Sequence, residues 1–209
     1  VRLLAEGDAK DRTSATSALS VYGRKVVVER LVGLLEHWNA EVRHHAVAAI
    51  GRLGGTQRGV TYPGAVDGLL KLLERGEPEM QSNAAVALGH LVGAAGGGHS
   101  HVVEALVERL EHPDVDVQAN AAFALGLTHD AAASRSEVVD ELVDLLEHWA
   151  ARVQCNAADA LWRLGGAAVS RHRGAMQALV RLLEHPTAQV RASGSMALGQ
   201  LGGVALRSQ

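Results

Sequence analysis

Small and apolar residues recur every three or four positions in the ten-residue segment VQANAAFALG, which starts at Val117. This spacing places them on one face of a helix, and the abundance of alanine predicts close packing against a neighbouring helix. The stretch before this segment carries apolar residues at the same spacing, namely Val103, Leu106, Val107 and Leu110. The pattern therefore predicts a hairpin of two amphipathic helices, called helix A and helix B below.

The hairpin pattern recurs at a nearly fixed interval. Related B segments start at residues 42, 80, 117, 153 and 190, and a glutamate near the end of each A segment falls at 36, 74, 111, 147 and 184. A period of this length with two apolar segments per unit is typical of stacked helical repeats. We predict A helices over 25–37, 64–75, 100–112, 136–148 and 175–185, and B helices over 41–54, 79–92, 115–127, 151–164 and 188–201.

The predicted fold class is all-α, a right-handed α-solenoid of about five full two-helix repeats preceded by a partial repeat. The five units cover 24–62, 63–99, 100–135, 136–173 and 174–209, and residues 1–23 match only part of a unit. Because a solenoid normally closes with complete capping units, we expect 1–209 to form a single repeat domain within a longer array. Glycines at 51, 89, 126 and 199 of the B segments should let neighbouring helices approach closely.

Composition narrows the classes of function. Hydrophobic residues make up 47% of the chain but aromatic residues only 3%, which predicts an aliphatic, alanine-rich core. The net charge of −3 is not the basic footprint of a nucleic-acid-binding protein. No apolar run approaches the roughly 20 residues that span a bilayer. The single cysteine, Cys155, fits a reducing compartment, so we expect a cytoplasmic protein without nucleic-acid or membrane partners.

The repeated strings resemble two related families. VQANAAFALG at 117–126 looks like the inner helix of armadillo repeats, and LLEHPTAQVR at 182–191 looks like HEAT repeats, including the HEAT-like units of phycobilisome lyases. The resemblance covers essentially all of 1–203 and implies a superhelical fold, but it is not specific for function. Armadillo units carry a short extra helix between helix B and the next helix A, and the period here is several residues too short for a full one.

One armadillo function is not implied by the resemblance. Nuclear-import armadillo proteins bind peptides through a ladder of tryptophan and asparagine, one helical turn apart. The matching positions in this sequence hold neither ladder pair; they are Ala48/Arg52, Val86/His90, Phe123/Leu127, Asp159/Arg163 and Met196/Gln200. Import-receptor activity is therefore not carried over.

A strip of B-helix positions is the predicted binding surface. Residues three and seven positions apart share a helical face, and stacked units would align them along the concave side of the solenoid. The predicted protein-binding residues are His45, Arg52, Asn83, Val86, His90, Asn120, Phe123, Asn156, Asp159, Arg163, Met196 and Gln200. Two alternatives stay open: the asparagines could lock adjacent repeats through backbone hydrogen bonds, and Phe123 could belong to the core.

Histidine and tryptophan near the A–B turns give further expectations. His37, His112, His148 and His185 close A segments, where a cation or hydrogen-bond donor would satisfy terminal carbonyls. Because they recur with the period, they cannot converge on one ion, and no metal site is expected. Trp38 and Trp149 replace proline at two turns, and we predict that each folds back over its own repeat; the alternative is that each stands exposed as a contact point.

The sequence contains no constellation of nucleophile, base and acid, so we expect no enzyme activity and no cofactor. The leading hypothesis is a non-catalytic scaffold that binds a protein or peptide on the concave face of the B helices. One alternative is a bilin lyase or related chromophore-handling protein, implied only by the HEAT-like resemblance. The other is a purely architectural segment of a very large protein.

Overall fold

A computed structural model describes residues 23–56, 59–60, 62–96, 99–170, 172 and 174–207. Residues 1–22, which make up nearly all of the predicted partial repeat, lie outside this range. The helices in chain order are α1 (Arg24–Val32), α2 (Ala40–Gly54), α3 (Pro63–Arg75), α4 (Pro78–Ala95), α5 (Ser100–Glu108), α6 (Val115–Leu127), α7 (Asp130–Ala133), α8 (Ser136–Asp144), α9 (Ala151–Leu164), α10 (Gly166–Val169), α11 (Ala175–Arg181) and α12 (Ala188–Arg207).

The described residues contain no strand, and the predicted all-α solenoid is confirmed. Helices α1, α3, α5, α8 and α11 are the A helices, and α2, α4, α6, α9 and α12 are the B helices. Four A helices end earlier than predicted. Helix α1 ends at Val32, and the last turn of the other three tightens into 3₁₀ helices over Arg109–Glu111, Leu145–Glu147 and Leu182–Glu184. The one-turn helices α7 and α10 lie in connections for which the sequence pattern predicted no helix.

A glutamine or arginine near the start of each B helix ties it to the preceding A helix. The side-chain Nε2 of Gln81, Gln118 and Gln154 donates to the carbonyls of Leu73, Leu110 and Leu146, at 2.9, 3.0 and 3.1 Å. Arg43 and Arg191 donate to the carbonyls of His37 and His185, each at 2.8 Å. These bonds satisfy carbonyls that a helix end leaves without an intrahelical partner.

The histidines at the A–B turns accept hydrogen bonds, whereas the sequence predicted that they donate them. Nδ1 of each ring accepts a hydrogen bond from the backbone N–H two residues later, at 3.0 to 3.1 Å, in His37, His112, His148 and His185. An accepting Nδ1 requires the proton on Nε2 and therefore a neutral ring. The predicted donation to terminal carbonyls is wrong, because the arginine and glutamine side chains meet that need.

Successive B helices approach each other closely through glycine. A Cβ atom built on the glycine would lie 3.0, 2.8 and 2.7 Å from an alanine Cα of the next repeat, in the pairs Gly51–Ala87, Gly89–Ala124 and Gly126–Ala160. Real Cβ atoms are essentially never closer than 3.0 Å to such atoms. The B helices of the first four units therefore form a tightly stacked inner layer, as the glycines at 51, 89 and 126 predicted. The predicted close approach is not found at Gly199, where nothing lies within 4 Å of a built Cβ.

The core lies between the two layers of helices and is almost entirely aliphatic. Fully buried leucines recur in the A helices at Leu69, Leu106, Leu142 and Leu179, and in the B helices at Leu88, Leu125 and Leu161. They belong to one continuous cluster that runs through all five units. Each unit thus buries its apolar face against its neighbours, as repeat proteins require.

We predict that Leu125→Ala lowers the free energy of unfolding by about 2–5 kcal/mol, because it leaves a cavity at a fully buried position. Denaturant unfolding followed by circular dichroism measures this loss. Leu183→Ala is the matched control, since Leu183 is 40% exposed and its truncation should cost far less. Equal losses in the two variants would contradict the assignment of Leu125 to the core.

A second prediction uses two glycines at equivalent positions. Gly126→Ala should destabilise the protein by about 1–3 kcal/mol, because the new methyl group would press on the backbone of Ala160. Gly199→Ala should stabilise it by up to about 1 kcal/mol, since nothing lies within 4 Å of a Cβ there and alanine favours the helix. Opposite shifts in melting temperature are expected, and a stabilising Gly126→Ala would contradict the close contact.

Candidate functional site

The predicted binding residues share the face of the B helices that is not packed. None of the twelve is buried, whereas neighbouring positions such as Ala84, Ala121 and Ala157 are fully buried. His45, Arg52, Met196 and Gln200 are exposed and lie in the first and last units. Val86, His90 and the residues of the third and fourth units are half-buried. The strip residues of the middle units are thus partly covered by their neighbours, whereas those of the first and last units are exposed.

A compact cluster occupies the middle of the strip, around Arg163. Its Nε donates to Asp159 Oδ2 at 2.7 Å, and its guanidinium carbon lies 5.7 Å from the centre of the Phe123 ring. The Trp162 ring lies 4.9 Å from the same carbon, and its Nε1 donates to Asp159 Oδ1 at 2.6 Å. Phe123 comes from α6 and the other three from α9, so the cluster joins two repeats.

Both members of the ion pair remain partly open to solvent. The side chains of Arg163 and Asp159 are 28% and 26% exposed. A pair of this kind contributes little to stability, but both aromatic contacts and the carboxylate restrict where the guanidinium can lie. Arg163 is therefore an oriented cation at the surface, with one hydrogen-bonded face and room for a further acceptor.

The asparagines of the strip connect successive repeats. Asn120 donates to Ser82 Oγ at 2.6 Å, and Asn156 donates to the Ala119 carbonyl at 2.7 Å. The amide nitrogen of Asn83 lies 3.2 Å from Nδ1 of His44. Each asparagine thus contacts the repeat before its own, but only Asn156 does so through the backbone hydrogen bond that the locking interpretation predicted. Their amide groups are engaged within the protein, and the binding role of these three residues stays a prediction.

A polar groove of about 680 Å³ runs along the C-terminal ends of the B helices. Its described lining combines glycine-rich backbone with a few polar side chains; it comprises Gly55, Gly59, Gly89, His90, Gly93, Ala94, Ala95, Gly96, Leu127, Thr128, His129, Arg163 and Leu164. Burial, followed by the charge of Arg163, lowers the pKa of His90 from its ordinary value of 6.5. His90 is therefore neutral at pH 7 in the free protein.

The exposed tryptophans correct a further prediction. Trp38 and Trp149 are 85% and 83% exposed, so neither folds back over its own repeat. Each ring instead lies beside the preceding histidine, with ring centres 5.4 Å apart for His37 and 5.5 Å apart for His148. The turn geometry is fixed by the backbone bond to histidine Nδ1, which directs the next side chain away from the repeat.

The described part of the chain contains no group of three histidine, cysteine, aspartate or glutamate side chains that could hold a metal ion. His99 and His101 lie near each other, with ring centres 6.1 Å apart, but no third ligand joins them among these residues. Cys155 is buried and free. No described helix combines the length and apolar character that crossing a bilayer requires.

Two contributors to the site were absent from the predicted set. Trp162 replaces the glycine of the B column, and this substitution was the available signal that the fourth unit differs. His129 lies in the groove with φ at +40°, a conformation that L residues rarely adopt. No sequence pattern predicts such a backbone angle, because it depends on how the connection between α6 and α7 is held.

Comparisons with known proteins agree with this geometry. The sequence family described as HEAT repeats matches residues 1–89 and 103–199. A comparison with curated proteins finds no match. One similar solved structure is an engineered protein, with a TM-score of 0.59 and 24% identity over 97% of this chain and 94% of that one.

Two further solved structures share the fold at lower or similar identity. A designed armadillo repeat protein in complex with the peptide (KR)4 has a TM-score of 0.60 and 16% identity, over 83% of this chain and 81% of that one. The complex of CpcE and CpcF of phycocyanin lyase from Nostoc sp. has a TM-score of 0.64 and 23% identity, over 83% of this chain and 64% of that one.

We predict that Asn156→Ala lowers the free energy of unfolding by about 1 kcal/mol, because it removes the bond to the Ala119 carbonyl between repeats. Amide hydrogen exchange should speed up most at the contact between α6 and α9. Gln200→Ala is the control, since Gln200 is exposed on the same face. Unchanged stability and exchange in Asn156→Ala would show that this asparagine does not lock the repeats.

Proposed function

The chain belongs to the HEAT-repeat family, and we propose that it is a non-catalytic scaffold that binds a protein or peptide along the strip of B-helix residues. One observation carries the proposal. The packed positions of the B helices hold mostly alanine with a few larger aliphatic side chains, whereas one column of the unpacked strip holds a different side chain in each unit: Ala48, Val86, Phe123, Asp159 and Met196. Stacking therefore leaves a continuous surface whose chemistry is free to match a partner.

The middle of this strip has the composition of an interface centre. Phe123 supplies an apolar anchor, and Arg163 and Trp162 belong to the residue types that carry most of the energy in protein interfaces. The contacts of the Arg163 guanidinium with the Phe123 and Trp162 rings hold these groups in place before binding, which reduces the entropy lost on association. The partner would contact this cluster first and extend toward Val86 and Met196.

The similar solved structures support a protein or peptide as the partner. One is a designed armadillo repeat protein bound to a peptide, and another is a complex of two phycocyanin lyase proteins. We further propose that the scaffold works in the cytoplasm without a cofactor and does not bind nucleic acid. The buried free Cys155 supports the cytoplasmic location, and the net charge of −3 supports the absence of nucleic-acid binding.

Two alternative functions remain hypotheses. The likeness to the phycocyanin lyase complex, at 23% identity, concerns the fold alone, so it supports a bilin lyase only through architecture. Incubation with bilin followed by absorbance spectroscopy tests that alternative directly. A purely architectural segment would show no ligand selectivity at the strip, and the experiment below tests this.

We predict that Phe123→Ala weakens peptide binding at least about tenfold, because it removes the apolar anchor of the interface centre. Peptides are first selected from a random displayed library against the natural sequence, and their affinities are then measured by fluorescence anisotropy. The melting temperature should fall by less than about 4 °C, since the ring is only half-buried.

Met176→Ala is the matched control for this experiment. Met176 is a large apolar side chain, 40% exposed on the A helix α11, and its loss should leave peptide affinity unchanged. A large fall in melting temperature with full binding by the folded Phe123→Ala protein would place the ring in the core. That result, or the absence of any selected peptide, would overturn the proposed function.

A further inference from the structure

The groove at the C-terminal ends of the B helices is lined by basic side chains and by no described acidic one. Its described lining includes one arginine and two histidines but no aspartate or glutamate. The carboxylate of Asp159, which is not part of this lining, is bonded to Arg163 and Trp162. A groove with this lining offers hydrogen-bond donors and positive charge, and little that would attract a cation.

The C-terminal end of a helix usually favours cations, because its last carbonyls point outward. In this groove many of those carbonyls are already occupied. The Ala94 carbonyl accepts from the Gly59 N–H at 2.8 Å, and the Leu125 carbonyl accepts from Thr128 Oγ1 at 2.8 Å. The Arg163 carbonyl lies 3.3 Å from Nδ1 of His129. The C-terminal ends therefore contribute less negative potential here than open helix ends would.

The backbone around His129 is strained. His129 has φ at +40° and ψ at −108°, and it is the one non-glycine residue with positive φ in the described chain. Such conformations cost free energy and cluster at functional sites. The contact to the Arg163 carbonyl requires a proton on Nδ1, which leaves Nε2 for a ligand. Gly59 and Gly96 let a ligand approach the backbone closely, because nothing lies within 4 Å of a Cβ built on either.

From this geometry we infer that the groove binds the carboxylate of an acidic peptide segment through Arg163, His90 and His129. The inference rests on the proposed function and names the partner class, since it makes the bound segment negatively charged where it crosses the B-helix ends. Arg163 would accept the carboxylate on the side opposite Asp159. His90 would take up a proton and donate to the same carboxylate, and His129 lines the groove beside it.

Proton uptake gives this site a defined pH dependence. Burial, and then the charge of Arg163 on α9, disfavour a charged His90. A bound carboxylate raises the pKa of His90, so binding and protonation reinforce each other. Affinity should therefore rise as the pH falls from neutral toward the pKa of His90 in the free protein, which burial and Arg163 lower.

The test uses three probes at low salt: a capped oligoglutamate peptide, a capped oligolysine peptide of equal length, and inorganic phosphate. Calorimetry measures affinity, and NMR follows the ring signals of His90 and His129. Oligoglutamate should shift both rings and bind more tightly at lower pH, and oligolysine should do neither. Ring shifts caused by oligolysine alone, or by neither peptide, would overturn the inference.

Variants of the ion pair separate charge from structure. Arg163→Gln should weaken oligoglutamate binding about tenfold, and Arg163→Lys should restore most of the affinity because it keeps the charge. Asp159→Asn should tighten binding severalfold, since it removes the competing carboxylate, whereas a structural role would predict weaker binding. Arg181→Gln is the control: Arg181 pairs with Glu147 on the A helices and should have no effect. If Asp159→Asn does not tighten oligoglutamate binding, Asp159 and the bound carboxylate do not compete for Arg163.

The outcomes distinguish this inference from the proposed function. If phosphate alone shifts the two rings as strongly as oligoglutamate, the groove takes free oxyanions and the peptide partner is wrong. If peptides selected on the strip contain no acidic residues and oligoglutamate does not compete with them, the scaffold function is supported and the carboxylate site is contradicted. If oligoglutamate binds the groove while Phe123→Ala does not change the affinity for selected peptides, the carboxylate site is supported and binding along the strip is contradicted.

Discussion

The contact between glycine and alanine of successive B helices is the constraint on which the rest of the structure depends. At three junctions the glycine leaves no room for a Cβ, because the alanine backbone of the next repeat lies within about 3 Å of that position. This approach brings the inner helices together along their length and buries the leucines behind them. It also means that packing selects small residues at fixed positions and leaves the remaining face without a packing role.

Polar side chains set the register of this close stack. The asparagines reach back one repeat, and the glutamines and arginines at the start of the B helices bind the end of their own A helix. Apolar contacts between alanine surfaces are non-directional, so they alone would permit helices to slide. Directional hydrogen bonds select one arrangement, because any shift would leave partly buried amides without partners.

The sequence was sufficient for the fold because the period, the apolar spacing and the glycine column all encode helix packing. It was less informative where geometry depends on single backbone angles. The four turn histidines were predicted to donate, yet the backbone N–H two residues later makes each of them an acceptor. Trp38 and Trp149 were predicted to cover their repeats, yet the same turn directs them into solvent. The strip followed from helical periodicity, but Trp162 and His129 depend on tertiary contacts.

The distribution of charge along the B helices gives the unpacked face a direction. Near their N-terminal ends Glu79, Asp114 and Asp116 lie beside Arg152, which pairs with Asp116, so positive and negative charges are mixed there. Near the C-terminal ends the described groove lining contains Arg163 and no carboxylate, and Arg163 opposes the negative partial charge of its helix end. A partner that crosses several B helices would therefore meet mixed charge at one end of the helices and a positive charge at the other. Because an acidic segment pairs with only one of these ends, the charges would set the direction of the bound segment and the Phe123 cluster would hold it.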